Sequence, residues 1–183
     1  MKKVFSVLAA VALLVFVFTS CDPKEKTYAD YLTKPSKGWV LQSATSSPDY
    51  LMSDNTPVAD IYNDYLYEWE QQYVLFFNEN GSEVVKPGKV VAPDSIPDNE
   101  CFRTEKSLGN WSIKEGVIRD GVSYDYLYMY IPFVFHQNGT VPLSECQIIT
   151  LNDEMLRVKF IFNDDPIVSK GRYEWTLTYV PAK

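Results

Sequence analysis

Leu156-Arg157-Val158-Lys159-Phe160-Ile161-Phe162 and, further on, Arg172-Tyr173-Glu174-Trp175-Thr176-Leu177-Thr178-Tyr179 decide the fold of this chain. In the first stretch Leu156, Val158, Phe160 and Phe162 share one side, and Arg157 and Lys159 take the other. In the second, Tyr173, Trp175, Leu177 and Tyr179 stand against Arg172, Glu174, Thr176 and Thr178. A period of two is the alternation of side chains along a strand, whereas a helix would spread these residues around its axis. Both stretches are therefore expected to be half-buried antiparallel strands, with Asn163-Asp164-Asp165-Pro166 turning the chain between them.

Working outward, Trp39 to Ser43, Tyr73 to Phe77, Ser82 to Val85, Gly109 to Lys114, Tyr126 to Phe135 and Cys146 to Leu151 bring the strand number to about eight. Asn78-Glu79-Asn80-Gly81 has the Asn-Gly signal of a hairpin turn. Asp60 to Gln72 places Ile61, Tyr65, Leu66 and Trp69 on one helical face, which predicts a short helix over an end of the sheet. Residues 86–100 hold Pro87, Pro93 and Pro97 and are expected to be a loop, because each proline removes a ladder donor. Many short strands at close spacing point to an all-β closed barrel or sandwich.

The chain begins differently. Lys2 and Lys3 precede an apolar run from Val4 to Phe18, broken only by Ser6, and Thr19-Ser20-Cys21 follows. That order is a secretory signal peptide; a spanning helix needs about 20 apolar residues. Its end resembles the lipobox of bacterial lipoproteins, with Phe18 where Leu is usual. The resemblance implies removal of residues 1–20 and acylation of Cys21 by palmitate-type chains. The mature chain is then expected in the cell envelope, as an outer-membrane lipoprotein attached to the membrane through its lipid. Residues 21–37, with Pro23 and Pro35, are expected to be a lipidated terminus and tether, and residues 38–183 the folded domain.

The full chain of 183 residues has 17 basic and 24 acidic side chains; without Lys2 and Lys3 the balance is 15 to 24. So acidic a chain is a poor partner for nucleic acid, whose affinity comes largely from cations on phosphates. The mature length suits one domain.

Four short matches, Gly38-Trp39, Phe77-Asn78-Glu79-Asn80-Gly81, Gly109-Asn110-Trp111-Ser112-Ile113 and Arg172-Tyr173-Glu174-Trp175, together resemble the small lipocalin-like domains of Bacteroidetes-type lipoproteins. The resemblance implies a single antiparallel up-and-down β-barrel of about eight strands, and no named ligand. The interval from Thr45 to Gln72 is longer and more aromatic than that pattern. A barrel also has a physical rationale, since a sheet closed on itself leaves no exposed edge.

Residues for chemistry are sparse. His136 is the one histidine and sits in a turn-like stretch, so no triad suggests itself and no catalytic residue is assigned. Neither Asp164-Asp165 nor Asp153-Glu154 has the alternating acidic loop that holds calcium; solvated turn acids are expected, and no metal or cofactor. Glu68 and Glu70 are the example of paired carboxylates that a glycoside hydrolase would need. Cys101 and Cys146 would either bridge or stay as two buried free thiols. Asp94-Ser95-Ile96, in the proline-rich loop, resembles the O-glycosylation acceptor of exported Bacteroidetes-type proteins, which marks Ser95.

The aromatic load carries the functional expectation. Tyr124, Tyr126, Tyr128 and Tyr130 alternate with Leu127, Met129 and Ile131. Facing inward, the tyrosines would line a site for a small apolar, aromatic or sugar-like ligand; facing outward, they would pair across strands or dock a protein partner. The expected function is a non-enzymatic, lipid-anchored protein binding a small apolar or aromatic ligand. The alternative is an interaction module of an envelope complex.

Overall fold

A computed structural model describes residues 25–52, 54–134, 139–163 and 172–183. Cys21, His136 and Asp164-Asp165 lie outside the described residues. The alternating stretches are all strands: β1 (Trp39–Leu51), β2 (Pro57–Asp60), β3 (Val74–Phe77), β4 (Ser82–Lys86), β5 (Lys106–Asn110), β6 (Ser112–Arg119), β7 (Val122–Tyr130), β8 (Leu143–Leu151), β9 (Leu156–Asn163) and β10 (Arg172–Pro181). Among the described residues three short helices accompany them, α1 (Tyr28–Thr33), α2 (Ile61–Asp64) and α3 (Glu68–Gln71).

The strands form one antiparallel sheet in the order β5-β4-β3-β1-β10-β9-β8-β7-β6, with β2 added on β1. Apart from β2 and the step from β5 to β6, each strand pairs with its neighbours in sequence and β1 pairs with β10, so the wall is an up-and-down meander that curls into a barrel. The ladder stops between β5 and β6, yet these two belong to one run, 106–119, interrupted only at Trp111. Its first half pairs with β4 and its second half with β7. Counted as one strand, that run makes a wall of eight, the expected number, but the expected full ladder closure is replaced by a seam.

Side-chain chemistry holds the seam. Glu83 on β4 reaches across it, and its carboxylate accepts the backbone N–H of Tyr130 on β7 at 2.8 Å. Gly109 lies beneath the Tyr130 ring, where an added Cβ would overlap the ring atoms, and its φ is +148°. Both the overlap and the left-handed backbone disfavour any other residue. Gly109→Ala is therefore expected to lower the unfolding free energy in urea by about 2 kcal/mol, with the loss of amide-exchange protection greatest at β5 and β7.

The inward positions are filled. Trp39, Leu75, Leu127, Met129, Cys146, Val158, Trp175, Leu177 and Tyr179 are all fully or almost fully buried and belong to one continuous core cluster. Both ends of the wall are covered. At one end α1 touches both β3 and β8, which lie on opposite sides of the wall, so it spans the opening. It starts in a Thr27–Asp30 capping box, buries Leu32, and accepts the Trp39 indole N–H on the Leu32 carbonyl at 2.8 Å. Within the stretch expected as a tether, α1 packs on the barrel: Leu32 is buried, and the two lysines that flank the helix pair with Asp153. At the other end the long interval after Thr45 extends β1 and adds β2, α2 and α3. Ile61 and Leu66 are buried there, and Tyr65 and Trp69 pack against the core, but the one helix expected over Asp60 to Gln72 is two single turns, because Tyr65 to Tyr67 leave the helical path between α2 and α3.

The proline-rich loop is irregular, as expected. Arg103 ties it together, its guanidinium donating to the carbonyls of Ala92, Pro93 and Ile96 and pairing with Asp98.

Candidate functional site

Two places concentrate polar chemistry: a groove on the outer face of the wall, and a buried cluster near the seam. The groove arises from the β7 alternation. Leu127 and Met129 point inward and are fully buried, so Tyr124, Tyr126, Tyr128 and Tyr130 take the other face. The tyrosine stripe is therefore on the outside of the barrel, not in an interior cavity.

Cross-strand register builds the rest. Tyr126 stands opposite Gln147, Gln147 opposite Lys159, and Lys159 opposite Thr176; Ile161 stands opposite Glu174. Tyr126, Gln147, Lys159, Ile161 and Glu174, with Tyr124, Glu145, Arg119, Asp120 and Arg172, enclose a groove of about 240 Å³. Arg119 lies 4.6 Å over the Tyr126 ring and donates to Glu145 at 2.6 Å. The Tyr128 hydroxyl donates to the second oxygen of the same carboxylate at 2.6 Å, and Lys114 sits 4.8 Å over the Tyr128 ring. Across the groove Lys159 pairs with Glu174 at 2.6 Å.

These contacts set the ionisation of the site. The Tyr128 hydroxyl, and with it the Arg119 guanidinium, holds Glu145 below the usual carboxylate range. The same Glu145 carboxylate raises Tyr128 and Arg119. Glu145 is accordingly an anion at neutral pH with both oxygens engaged. Two charged groups of the lining, Arg172 and Asp120, make no ion pair among the described residues, and Tyr124 has no cation over its ring. The lining has three cations, Arg119, Lys159 and Arg172, and three acids, Asp120, Glu145 and Glu174, so the groove is balanced in charge. Tyr130 is not part of it, because its ring covers Gly109 at the seam.

The buried cluster centres on Glu83, which is fully buried. One carboxyl oxygen takes the Tyr130 N–H; among the described residues the other, Oε1, has no hydrogen-bond partner, and the buried Tyr179 hydroxyl has none either. Burial raises the Glu83 carboxyl well above its ordinary value, against the smaller lowering effect of the Tyr130 bond. Cys146 and Tyr179 feel the Glu83 charge and are themselves raised, chiefly by burial. Burial thus favours the uncharged form of all three groups. The cluster holds the seam and keeps its thiol unreactive, since thiol reactivity follows thiolate content.

The other expected residues fall as follows. Cys101 and Cys146 are free buried thiols, so of the two readings for them the unbridged one holds in the structure. The Cys101 thiol lies against the Pro97 carbonyl and Cys146 lies inward on β8. Ser95 is exposed at a turn closed by the Ile96 N–H on the Pro93 carbonyl. Asp153, expected as a solvated turn acid, is ion-paired: Lys34 at 2.6 Å and Lys26 at 2.9 Å share its carboxylate. Glu70 caps α3 by accepting the Tyr67 N–H at 2.9 Å, and burial raises it to about 7, while Glu68 is exposed. Among the described residues no three of His, Cys, Asp and Glu gather as metal ligands would, and no helix is long and apolar enough to cross a membrane. Sequence reading did not single out Glu83, although it shares the parity of the buried Val85 on β4. Comparison with protein-family models, with curated proteins and with solved structures finds no match to this chain.

Proposed function

We propose that this chain is a non-enzymatic binding module, anchored at the cell envelope by lipid on Cys21, that takes a small polyhydroxylated ligand such as a neutral saccharide in its outer groove. The observation that carries the reading is the outward tyrosine stripe beside a charge-balanced groove, on a barrel whose inward positions are occupied by its own side chains. Sugar hydroxyls both donate and accept, so they suit a lining in which carboxylates, guanidinium groups and the Gln147 amide alternate. A groove with equal numbers of cations and acids gives no net field to favour an ion. The open Tyr124 ring supplies a flat apolar surface for the C–H face of a sugar ring. A purely apolar ligand would give Arg172 and Asp120, the two charged groups of the lining without an ion pair among the described residues, nothing to bond to.

The test is a titration of the processed chain with a panel of neutral oligosaccharides, followed by calorimetry on the best binder. Tyr124→Ala is expected to weaken that binding roughly tenfold, the equivalent of about 1.4 kcal/mol. Arg172→Ala is expected to weaken it similarly. Affinity for fatty acids alone, or saccharide binding indifferent to both substitutions, would remove the proposal.

A further inference from the structure

The directions of the strands place three features at one end of the barrel. β1 begins there, at Trp39, which pairs with Pro181 of β10 and Leu75 of β3. Following the antiparallel order round the wall, the β8–β9 turn and the β6–β7 hairpin tip come to that same end, and α1 lies across it. Lys26 and Lys34, which flank α1, grip Asp153 of the β8–β9 turn, and the Tyr28 hydroxyl donates to Asp125 of β7 at 2.8 Å.

Two exposed apolar side chains flank the hairpin tip there. Ile118 is 68 % exposed and Val122 49 %, on either side of Arg119-Asp120-Gly121. Hairpin tips facing water are ordinarily polar, and exposed apolar side chains at a chain's extremity suit a lipid or protein surface.

We infer that this end, led by Ile118 and Val122, rests on the bilayer surface to which the chain is anchored. The inference rests on the lipid at Cys21 and adds an orientation to it. Lys26 is held against the barrel, so only the residues between it and Cys21 separate lipid from fold. Fully extended, those five steps reach about 18 Å. The opposite end lies roughly 30 Å away along the ten residues of β10. A chain acylated at Cys21 therefore cannot lay that far end, with α2 and α3, on the membrane. Lys26, Lys34, Lys37, Arg119 and Lys183 are matched in number by Glu25, Asp30, Asp120, Asp153 and Glu154, all exposed at the same end. Contact then comes from the apolar pair and the acyl chains, without a need for anionic headgroups.

The experiment uses the lipidated chain in phosphatidylcholine vesicles that contain brominated lipid. A fluorophore is attached at Ser123→Cys, beside the hairpin tip, or at Asp64→Cys, in α2; Cys101 and Cys146 are buried and do not compete. The label at 123 is expected to be quenched by the brominated lipid and the label at 64 not. Adding Ile118→Ser and Val122→Ser, both at exposed positions, is expected to remove the quenching at 123 while the chain still sediments with the vesicles. Sedimentation with equal quenching at both sites, or with more at 64, overturns the orientation and leaves the anchor standing. A chain that does not sediment, with an unacylated Cys21 by mass spectrometry, overturns the anchor and the orientation together.

Discussion

Glu83→Gln raises the stability of the folded chain at pH 7 to 8 and removes most of the decline that the parent shows as pH rises. The parent carboxyl is fully buried, and burial lifts its folded pKa well above the ordinary 4.5. An acid whose folded pKa is raised binds its proton more tightly in the folded state, so its stabilising effect is complete below the unfolded pKa. It is lost as pH rises from there through the folded pKa, at about 1.4 kcal/mol per pH unit. Glutamine keeps an oxygen for the Tyr130 N–H and cannot ionise, so the variant lacks that loss. Its advantage over the parent should be small near pH 4 and grow steadily above it. Glu70, raised to about 7 by burial, has the same sign and leaves a residual slope between about 4.5 and 7 in the variant. Urea unfolding at a series of pH values measures both; a parent and variant with parallel pH profiles would show that Glu83 is not buried at the seam.

The second large effect is expected at Trp175. Its ring is almost fully buried and meets Tyr50, Tyr65 and Phe160 edge-on, at centroid distances of 5.7, 6.0 and 5.7 Å. Tyr65 follows α2, so this one indole joins the covering segment to the β9–β10 wall. Trp175→Ala removes the buried area, the edge-to-face contacts and the filling of the cavity together, a loss of about 4 kcal/mol. That is a large part of the stability of a domain this size. The loss should be uneven: amides of 57–71 are expected to exchange sooner than those of β7 and β8. Hydrogen exchange on the variant shows whether the segment loosens first or the whole barrel weakens uniformly, the latter being contrary to this account.

The wall of the barrel was legible because inward positions from Leu156 to Ile161 on β9 and from Arg172 to Tyr179 on β10 are large and apolar while the outward ones, Ile161 apart, are charged or Thr, a contrast that fixes both strand and face. On β7 the same reasoning stalled at the face. Tyrosine and Leu or Met are all acceptable inside a barrel, so alternation alone does not say which set is buried; tertiary packing chose the aliphatic set. Other signals were local and short. Thr27-x-x-Asp30 is a capping box that marks α1, and Asp120-Gly121 is a hairpin signal that marks the start of β7 beyond the expected strand. The groove had no signature at all, since it joins residues of five strands whose proximity is a property of register.

The most direct test of an outer-face site on a filled barrel is methyl NMR of the processed chain titrated with a neutral oligosaccharide. Ile161 lines the groove, whereas Leu127, Val158 and Leu177 are buried inside the wall. The account predicts that the Ile161 methyl resonances move with saccharide concentration while those of the three interior residues stay in place. Movement of the interior methyls with Ile161 unchanged would place the ligand inside the barrel and contradict it.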